Sequence, residues 1–222
     1  MSDPRILFVE DDADIREATT LALADFGFEL VPVGDGLEGL ELSRTERFSG
    51  ALLDVMVPGM DGLSLTRMLR ESGPMPIVLL SARGDSPDVI GGLEAGADDY
   101  VVKPFETPVL AARLRSALRR ADRNSDQGGR YELGDLVIDL SAMSASSAGV
   151  PLHLTTTELR LLIELARNAG IALDRHALLE RVWDYSWSGD TRLVDTHVAR
   201  LRAKVGADRI TTVRGVGYRL EP

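Results

Sequence analysis

The chain has 222 residues, 44% of them hydrophobic, which is long for one compact domain and enough to fill two modest cores, so two domains are expected. It contains no cysteine, which excludes a disulfide framework and a thiolate zinc site and suits a reducing compartment such as the cytoplasm. No apolar run approaches the roughly 18 residues of a membrane span, so neither a span nor a signal peptide is expected. The net charge of -10 is unevenly placed: residues 1–121 hold 12 basic and 21 acidic side chains, residues 122–222 hold 13 and 14. Residues 192–219 carry seven cations against Asp195 and Asp208, so positive charge gathers near the C-terminal end.

From Arg5 onward, short apolar runs alternate with stretches of helical period. The runs "RILFV" (5–9), "FELVPV" (28–33), "GALLD" (50–54), "PIVLL" (76–80) and "DYVV" (99–102) read as strands buried on both faces. Between the first two, residues 13–26 predict a helix with Ile15, Ala18, Leu21, Ala22 and Phe26 on its apolar stripe. Five such units predict an α/β domain, a doubly wound parallel sheet with helices on both faces, over residues 1–121. The polar, glycine-ended stretch "RRADRNSDQGGR" reads as a linker, placed at 122–130. Beyond it, strand-like pieces at 136–140 and 150–154 precede a helix opening at "TTTE", where Thr155 and Glu158 form a capping box. Helices at about 175–183 and 191–205 and a hairpin at 209–220 complete an α+β domain over 131–222.

In an open α/β sheet, ligands sit beyond the carboxyl ends of the strands. Glu10 and Asp11 follow the first predicted strand, Asp54 ends the third, Ser81 the fourth, and Lys103-Pro104 the fifth, so these side chains are expected at one edge. Clustered carboxylates repel unless a cation intervenes, and an all-oxygen set favours Mg²⁺ over Zn²⁺. With an ammonium and a hydroxyl added, the site has what a phosphoryl group requires, and Asp54 is a candidate nucleophile toward phosphorus. Only Lys103 and Lys204 are lysines among 25 basic residues, so a compact ammonium stands out at this place. Acids after a strand also commonly serve as helix N-caps, and Asp12 or Asp14 fits that role, as Asp61 with Gly62 fits turn and capping chemistry.

"FVEDDADIRE", "LLDVMVPGMDG", "VLLSARGD" and "GADDYVVKPF", in this order and spacing, resemble the signatures of a response-regulator receiver domain. The resemblance implies a flavodoxin-like fold and phosphoryl transfer to Asp54 from a phosphohistidine on a sensor histidine kinase. It further implies Mg²⁺ arranged by Glu10, Asp11, Asp54 and the backbone carbonyl of Met56, and phosphoryl oxygens held by Ser81 and Lys103. Lys103-Pro104 is expected to be cis, and Ser81 with Tyr100 to form the switch. Such a protein turns over no external substrate. A phosphatase with an Asp nucleophile is the rival, but Val55 and Met56 supply no second acid beside Asp54.

On the predicted helix 191–205, Val194, Val198, Leu201 and Val205 form a core stripe. Arg192, Thr196 and Arg200 are then expected to face outward, flanked by Arg202 and Lys204, an arrangement suited to a DNA major groove or to a solvated basic face. "LTTTELRLLIELARNAG", "RHALLERVWD", "RLVDTHVARLRAKVG" and "ITTVRGVGYRL" resemble the winged-helix effector domain of the OmpR/PhoB family. That resemblance makes 191–205 the recognition helix binding promoter DNA, Arg200 the candidate base contact, Arg192, Arg202 and Lys204 phosphate contacts, and Arg214 the wing-tip contact to the minor groove. It also implies that residues 183–190 touch RNA polymerase, with Trp183 in the core and Trp187 either exposed or packed. His153, His176 and His197 are too scattered for a metal site, and His197 is expected beside the core stripe.

Members of the family usually dimerise on activation through the last two helices and last strand of the receiver, partly by ion pairs. One common pair is missing, because Gly91 and Val109 occupy its positions; Asp99 and Arg113 occupy those of another. A homodimer of more apolar character is expected. Leu193 and Ala199 stand where polar or basic residues are common on the recognition helix, which predicts a flatter salt dependence, by about 0.9 log units per lost phosphate contact.

Overall fold

The computed structural model describes residues 3–82, 95–122, 129–183 and 191–222. The chain divides into two compact units, Met1–Arg119 and Arg120–Pro222. In the first, β1 (Arg5–Val9), β2 (Glu29–Val33), β3 (Gly50–Asp54), β4 (Ile77–Ser81) and β5 (Asp99–Val102) form one parallel sheet in the order β2-β1-β3-β4-β5. The strands lie where the apolar runs predicted them, with one-residue differences at β2 and β4. Every residue of β3 and β4 is buried, as continuous apolar runs require of strands covered on both faces.

Helices α1 (Ala13–Ala24), α2 (Gly36–Thr45) and α3 (Gly62–Ser72) each begin behind an aspartate, Asp12, Asp35 and Asp61, whose carboxylate accepts backbone N–H groups of the first turn. Asp12, rather than Asp14, is therefore the cap of α1. A further helix, labelled α4 (Thr107–Asp122), follows β5. Leu23, from α1, and Leu110, Leu114 and Leu118, from α4, join Ile6, Phe8, Leu52, Val78 and Leu80 in the core beneath the sheet.

The buried face of α1 corrects the expected stripe. Thr19 and Leu23 are buried, with Ala22 and Phe26 half-buried, whereas Ile15, Ala18 and Leu21 are exposed. Apolar residues lie around most of this helix, so periodicity alone could not select the face that meets the sheet.

The turn after β3 is a close approach of backbone to backbone. A Cβ added at Gly62 would lie 2.1 Å from the carbonyl oxygen of Asp54, and one at Gly36 1.9 Å from that of Met60. Glycine there lets the start of α3 press against the end of β3. Arg70 of α3 donates to the carbonyls of Gly96 (2.6 Å) and Met75 and to the Asp98 carboxylate, which also accepts from Ile77 N–H at 2.9 Å. One guanidinium thus ties together the entries to β4 and β5.

In the second unit, β6 (Arg130–Leu133), β7 (Leu136–Asp139), β8 (Ser144–Ser147) and β9 (Val150–Pro151) form an antiparallel meander. Two of these strands were not expected. The strand at 130–133 begins inside the stretch read as linker, and "SASS" at 144–147 lacks the apolar alternation that marks a strand. The second is built by its neighbours: Ala148 and Gly149 turn at φ 50 and 78, and Asp135 accepts from the Ser147 hydroxyl at 3.0 Å. Of the expected linker, residue 122 ends α4 and residue 130 begins β6, while 123–128 lie outside the described residues. Three helices follow, α5 (Thr156–Arg167), α6 (Arg175–Trp183) and α7 (Arg192–Val205), together with the short β10 (Leu173–Asp174) and the hairpin β11 (Ile210–Val213) and β12 (Gly217–Leu220). The capping box at Thr155 and Glu158 forms as read. Among the described residues, no helix is long and apolar enough to cross a membrane.

Candidate functional site

The strand order reverses direction at β1, whose neighbours are β2 and β3, and the carboxyl ends of β1 and β3 carry the acids. Glu10, Asp11 and Asp54 bring one carboxylate oxygen each within 4.8 Å of the others. Glu10 and Asp54 are buried, at 1% and 7% exposure, while Asp11 faces solvent. The Lys103 ammonium, delivered by the loop after β5, donates to Glu10 Oε2 and to Asp54 Oδ2, both at 2.6 Å. Asp54 Oδ1 accepts from the Met56 N–H at 3.1 Å, and the Met56 side chain is exposed. Ser81 is buried at the end of the adjacent strand, and its carbonyl accepts from Lys103 N–H at 2.7 Å. The peptide between Lys103 and Pro104 is cis. All the residues expected at this edge are therefore at it, and Tyr100, on β5, is buried.

The charges explain one another. Burial raises the Glu10 carboxyl above its ordinary pKa, aided by the nearby Asp54 charge and opposed by Lys103. For Lys103, burial acts downward, but hydrogen bonds and attraction from Asp54 and Glu10 outweigh it and its pKa is raised. The ammonium remains charged between two acids. An all-oxygen donor set with one exposed and two buried carboxylates fits a hard divalent cation. Arg16 is a participant the sequence did not signal: from the first turns of α1 its Nη1 reaches back to the carbonyl oxygens of Glu10 (2.6 Å) and Asp11 (3.0 Å).

In the second unit, α7 buries Leu193, Val194, His197, Val198, Leu201 and Val205. Leu193, expected on the outer face, is a core residue at 0% exposure, because α5 and α6 cover a wider arc of the helix than one narrow stripe. Ala199 is exposed, and His197 is buried edge-on to Trp183 at 5.0 Å, so Trp183 is core as expected. Arg200 does not point freely away from the core. Its side chain is 15% exposed and pairs at 3.1 Å with Glu158, which is wholly buried and also accepts from Lys204 at 2.6 Å and Thr155 N–H at 2.8 Å. Arg202 ties the helix to the hairpin through the Ile210 carbonyl (2.7 Å) and Thr212 hydroxyl (2.9 Å), with its guanidinium over the Tyr218 ring. Arg175 stacks on the same ring and pairs with Asp195 at 2.7 Å. Arg192 and Thr196 are half-buried, and Arg214 is exposed in the turn of the hairpin, where Gly215 has φ 74. Of the expected polymerase loop 183–190, residues 184–190 with Trp187 lie outside the described residues, as does Gly91.

A doubly wound sheet with an acid-and-lysine site at its switch point, followed by a helical unit closed by a hairpin wing, defines a phosphorelay receiver joined to a winged-helix domain. Family comparison agrees: residues 6–115 match the response regulator receiver domain and residues 149–220 the C-terminal domain of transcriptional regulatory proteins. The chain is 54% identical to the transcriptional regulatory protein CseB of Streptomyces coelicolor, covering 97% of each. It is 44% identical to the DNA-binding response regulator MtrA of Mycobacterium tuberculosis, over 98% of this chain and 97% of that one. Among solved structures, the Thermotoga maritima OmpR/PhoB homologue DrrB is similar over 100% of both chains, at 34% identity and a TM-score of 0.53. The receiver domain of the sensor kinase PA1611 of Pseudomonas aeruginosa, solved with magnesium in its active-site cleft, is 29% identical, covers 53% of this chain and 99% of its own, and has a TM-score of 0.50. This chain belongs to the OmpR/PhoB-type response regulators and is a DNA-binding transcriptional regulator.

Proposed function

We propose that Asp54 is the phosphoacceptor of a two-component system and that its phosphorylation controls dimerisation and promoter binding. The observation that carries this reading is the Lys103 ammonium 2.6 Å from both Glu10 and Asp54 beside the exposed Asp11, a site with a nucleophilic carboxylate, a fixed cation and an oxygen set for a metal. A carboxylate oxygen of Asp54 forms the new bond to phosphorus, the P–N bond of the kinase phosphohistidine breaks, and the imidazole leaves with the electron pair. Lys103 and the Ser81 hydroxyl hold phosphoryl oxygens. Glu10, Asp11, Asp54 and the Met56 carbonyl would hold Mg²⁺, which supplies neutralising charge to the transferring group. Ser81 and Tyr100 form the switch. No external substrate is turned over; hydrolysis of the phosphoaspartate resets the protein.

Residues 1–121 act as receiver and 131–222 as DNA-binding effector, joined by 122–130, and the protein works in the cytoplasm, where the kinase domain and the promoter meet it. Arg192, Thr196, Arg200, Arg202, Lys204 and Arg214 contact DNA. Support for this comes from the exposed wing-tip Arg214, the exposed Lys204 and Arg202 held by the hairpin, whereas Arg200 must turn from its pair with Glu158 to reach a base. The 183–190 loop is the proposed contact to RNA polymerase. The test is affinity for immobilised double-stranded promoter DNA before and after treatment with Mg²⁺ and acetyl phosphate. Phosphorylated protein is expected to bind at least tenfold more tightly through paired half-sites; equal affinity would count against control by Asp54.

The proposed dimer uses β5 and the last two helices of the receiver, the final one being α4. Asp99 and Arg113 meet within one chain, at 3.2 Å, and Arg113 also donates to the Tyr100 carbonyl at 3.3 Å. Val109 on α4 is 44% exposed, in keeping with a more apolar interface. Arg113→Glu is expected to remain monomeric after phosphorylation in analytical ultracentrifugation, with a lowered melting temperature because it faces the buried Asp99. Unchanged self-association would argue for a different interface.

A further inference from the structure

Resting on the reading of Glu10, Asp11 and Asp54 as a Mg²⁺ site, we infer that Arg16 is a positioning residue for that site, acting through the backbone of the two acids on the first loop. Among the described residues Arg16, a cation beside the acid loop, forms no ion pair. Its Nη1 donates instead to two consecutive carbonyl oxygens, those of Glu10 at 2.6 Å and Asp11 at 3.0 Å. The contact is part-buried and is sterically provided for: a Cβ at Gly34, just beyond β2, would come within 3.3 Å of the same nitrogen. The Glu10 N–H is held from the other side by the Val33 carbonyl at 3.1 Å. Both polar groups of the Glu10 backbone are thus satisfied by fixed partners, and Arg16 holds the two successive peptide planes that flank the Asp11 Cα through their carbonyl oxygens.

This hold matters because the Asp11 side chain is not itself restrained by burial. It is exposed, whereas Glu10 and Asp54 are buried and bonded to Lys103. Fixing the Asp11 main chain shortens the search its carboxylate must make to reach the other two oxygens, so less ordering entropy is lost on metal binding.

Charge and positioning predict opposite signs. If Arg16 acted only as a nearby positive charge, neutralising it would strengthen the attraction of the site for Mg²⁺. If it positions the loop, removal weakens binding, and outer-shell partners of metal ligands commonly contribute about 10-fold to 100-fold in affinity.

The experiment is a Mg²⁺ titration of the full chain followed by backbone amide resonances, for wild type, Arg16→Ala and Arg16→Gln, with thermal melts in the absence of metal as the control for folding. Arg16→Ala is expected to bind about tenfold more weakly. Arg16→Gln, which loses the charge but keeps amide donors, is expected to fall between Ala and wild type. Should Arg16→Ala fail to fold, Arg16→Gln carries the same sign test. Binding by a folded variant as tight as wild type, or tighter, overturns the inference while leaving the metal site standing. Absence of Mg²⁺ binding by wild type would overturn the reading of the site itself, and the inference with it.

Discussion

Asp54→Asn is expected to abolish phosphoryl uptake altogether. Incubated with Mg²⁺ and acetyl phosphate, wild type should gain one phosphoryl group in intact mass and the variant none. The substitution is close to isosteric at this 7%-exposed position, but Asp54 accepts from the Met56 N–H through Oδ1 and from Lys103 through Oδ2, and Asn, with one oxygen, keeps only one of the two bonds. What it lacks is the anionic oxygen that attacks phosphorus. It also removes the charge that helps to raise the Glu10 carboxyl, so Glu10 ionises more readily beside Lys103 and the pocket keeps a cation–anion pair. Loss of uptake by a variant that still unfolds in one cooperative transition would therefore identify the acceptor rather than a folding defect. Uptake by the variant would place the phosphoryl group elsewhere. Were neither protein to gain mass, phosphorylated kinase as donor would separate a strict kinase requirement from an inert pocket.

The largest expected effect on stability lies in the other unit. Glu158 is wholly buried and joins three structural devices: it closes the capping box with Thr155, pairs with Arg200, and accepts from Lys204. Glu158→Ala removes the shared anion and leaves two cations facing one another near a helix N-terminus, where positive charge is disfavoured. Breaking a buried pair costs about 3–5 kcal/mol; Arg200 and Lys204 keep some access to water, so the lower end, about 3 kcal/mol, is expected. For a unit of this size that lowers the melting temperature by roughly 10–20 °C. DNA binding should weaken further than unfolding explains, because Lys204 loses its seat. A melting temperature within about 2 °C of wild type would mean that the cluster contributes little.

The same group gives the effector unit a pH dependence. Burial alone would favour the neutral acid, but Arg200, Lys204 and the Thr155 N–H outweigh it and hold the Glu158 pKa below its ordinary 4.5. A depressed carboxylate contributes stability that is complete above the unfolded value and is lost as pH falls through the folded one. Stability should therefore decline on acidification below about pH 4.5. Glu158→Gln, which keeps a capping side chain but does not ionise, should lack this component.

Much of the receiver is legible before folding, because its signals are local. Five apolar runs bounded by turns specify buried strands, and an acid or lysine directly after a run is carried to the carboxyl edge wherever the strands are parallel. Glu10, Asp54, Ser81 and Lys103 could be assembled on that rule alone, although 93 residues separate Glu10 from Lys103. The capping box at Thr155 and Glu158 is equally local, a spacing of three residues that bonds as soon as the helix turns.

Other features depended on which surfaces met. The face of α1 was misassigned because Ile15 and Leu21 are as apolar as Leu23, and only contact with the sheet distinguishes them. Leu193 went inward and Arg200 turned onto Glu158 for a like reason: α5 lies beside α7 in space, and a buried carboxylate 42 residues earlier draws the nearest guanidinium. The strand at 144–147 formed from serines because its neighbours offered an unpaired edge. The chain alone set the receiver strands, the Thr155–Glu158 capping box and the edge to which the chemistry goes, since these follow from hydrogen bonding and hydrophobicity over a few residues. Only the tertiary structure decided which helix face is core, which arginines are held, and that Arg16 grips the acid loop, since partners distant along the chain must first be brought together.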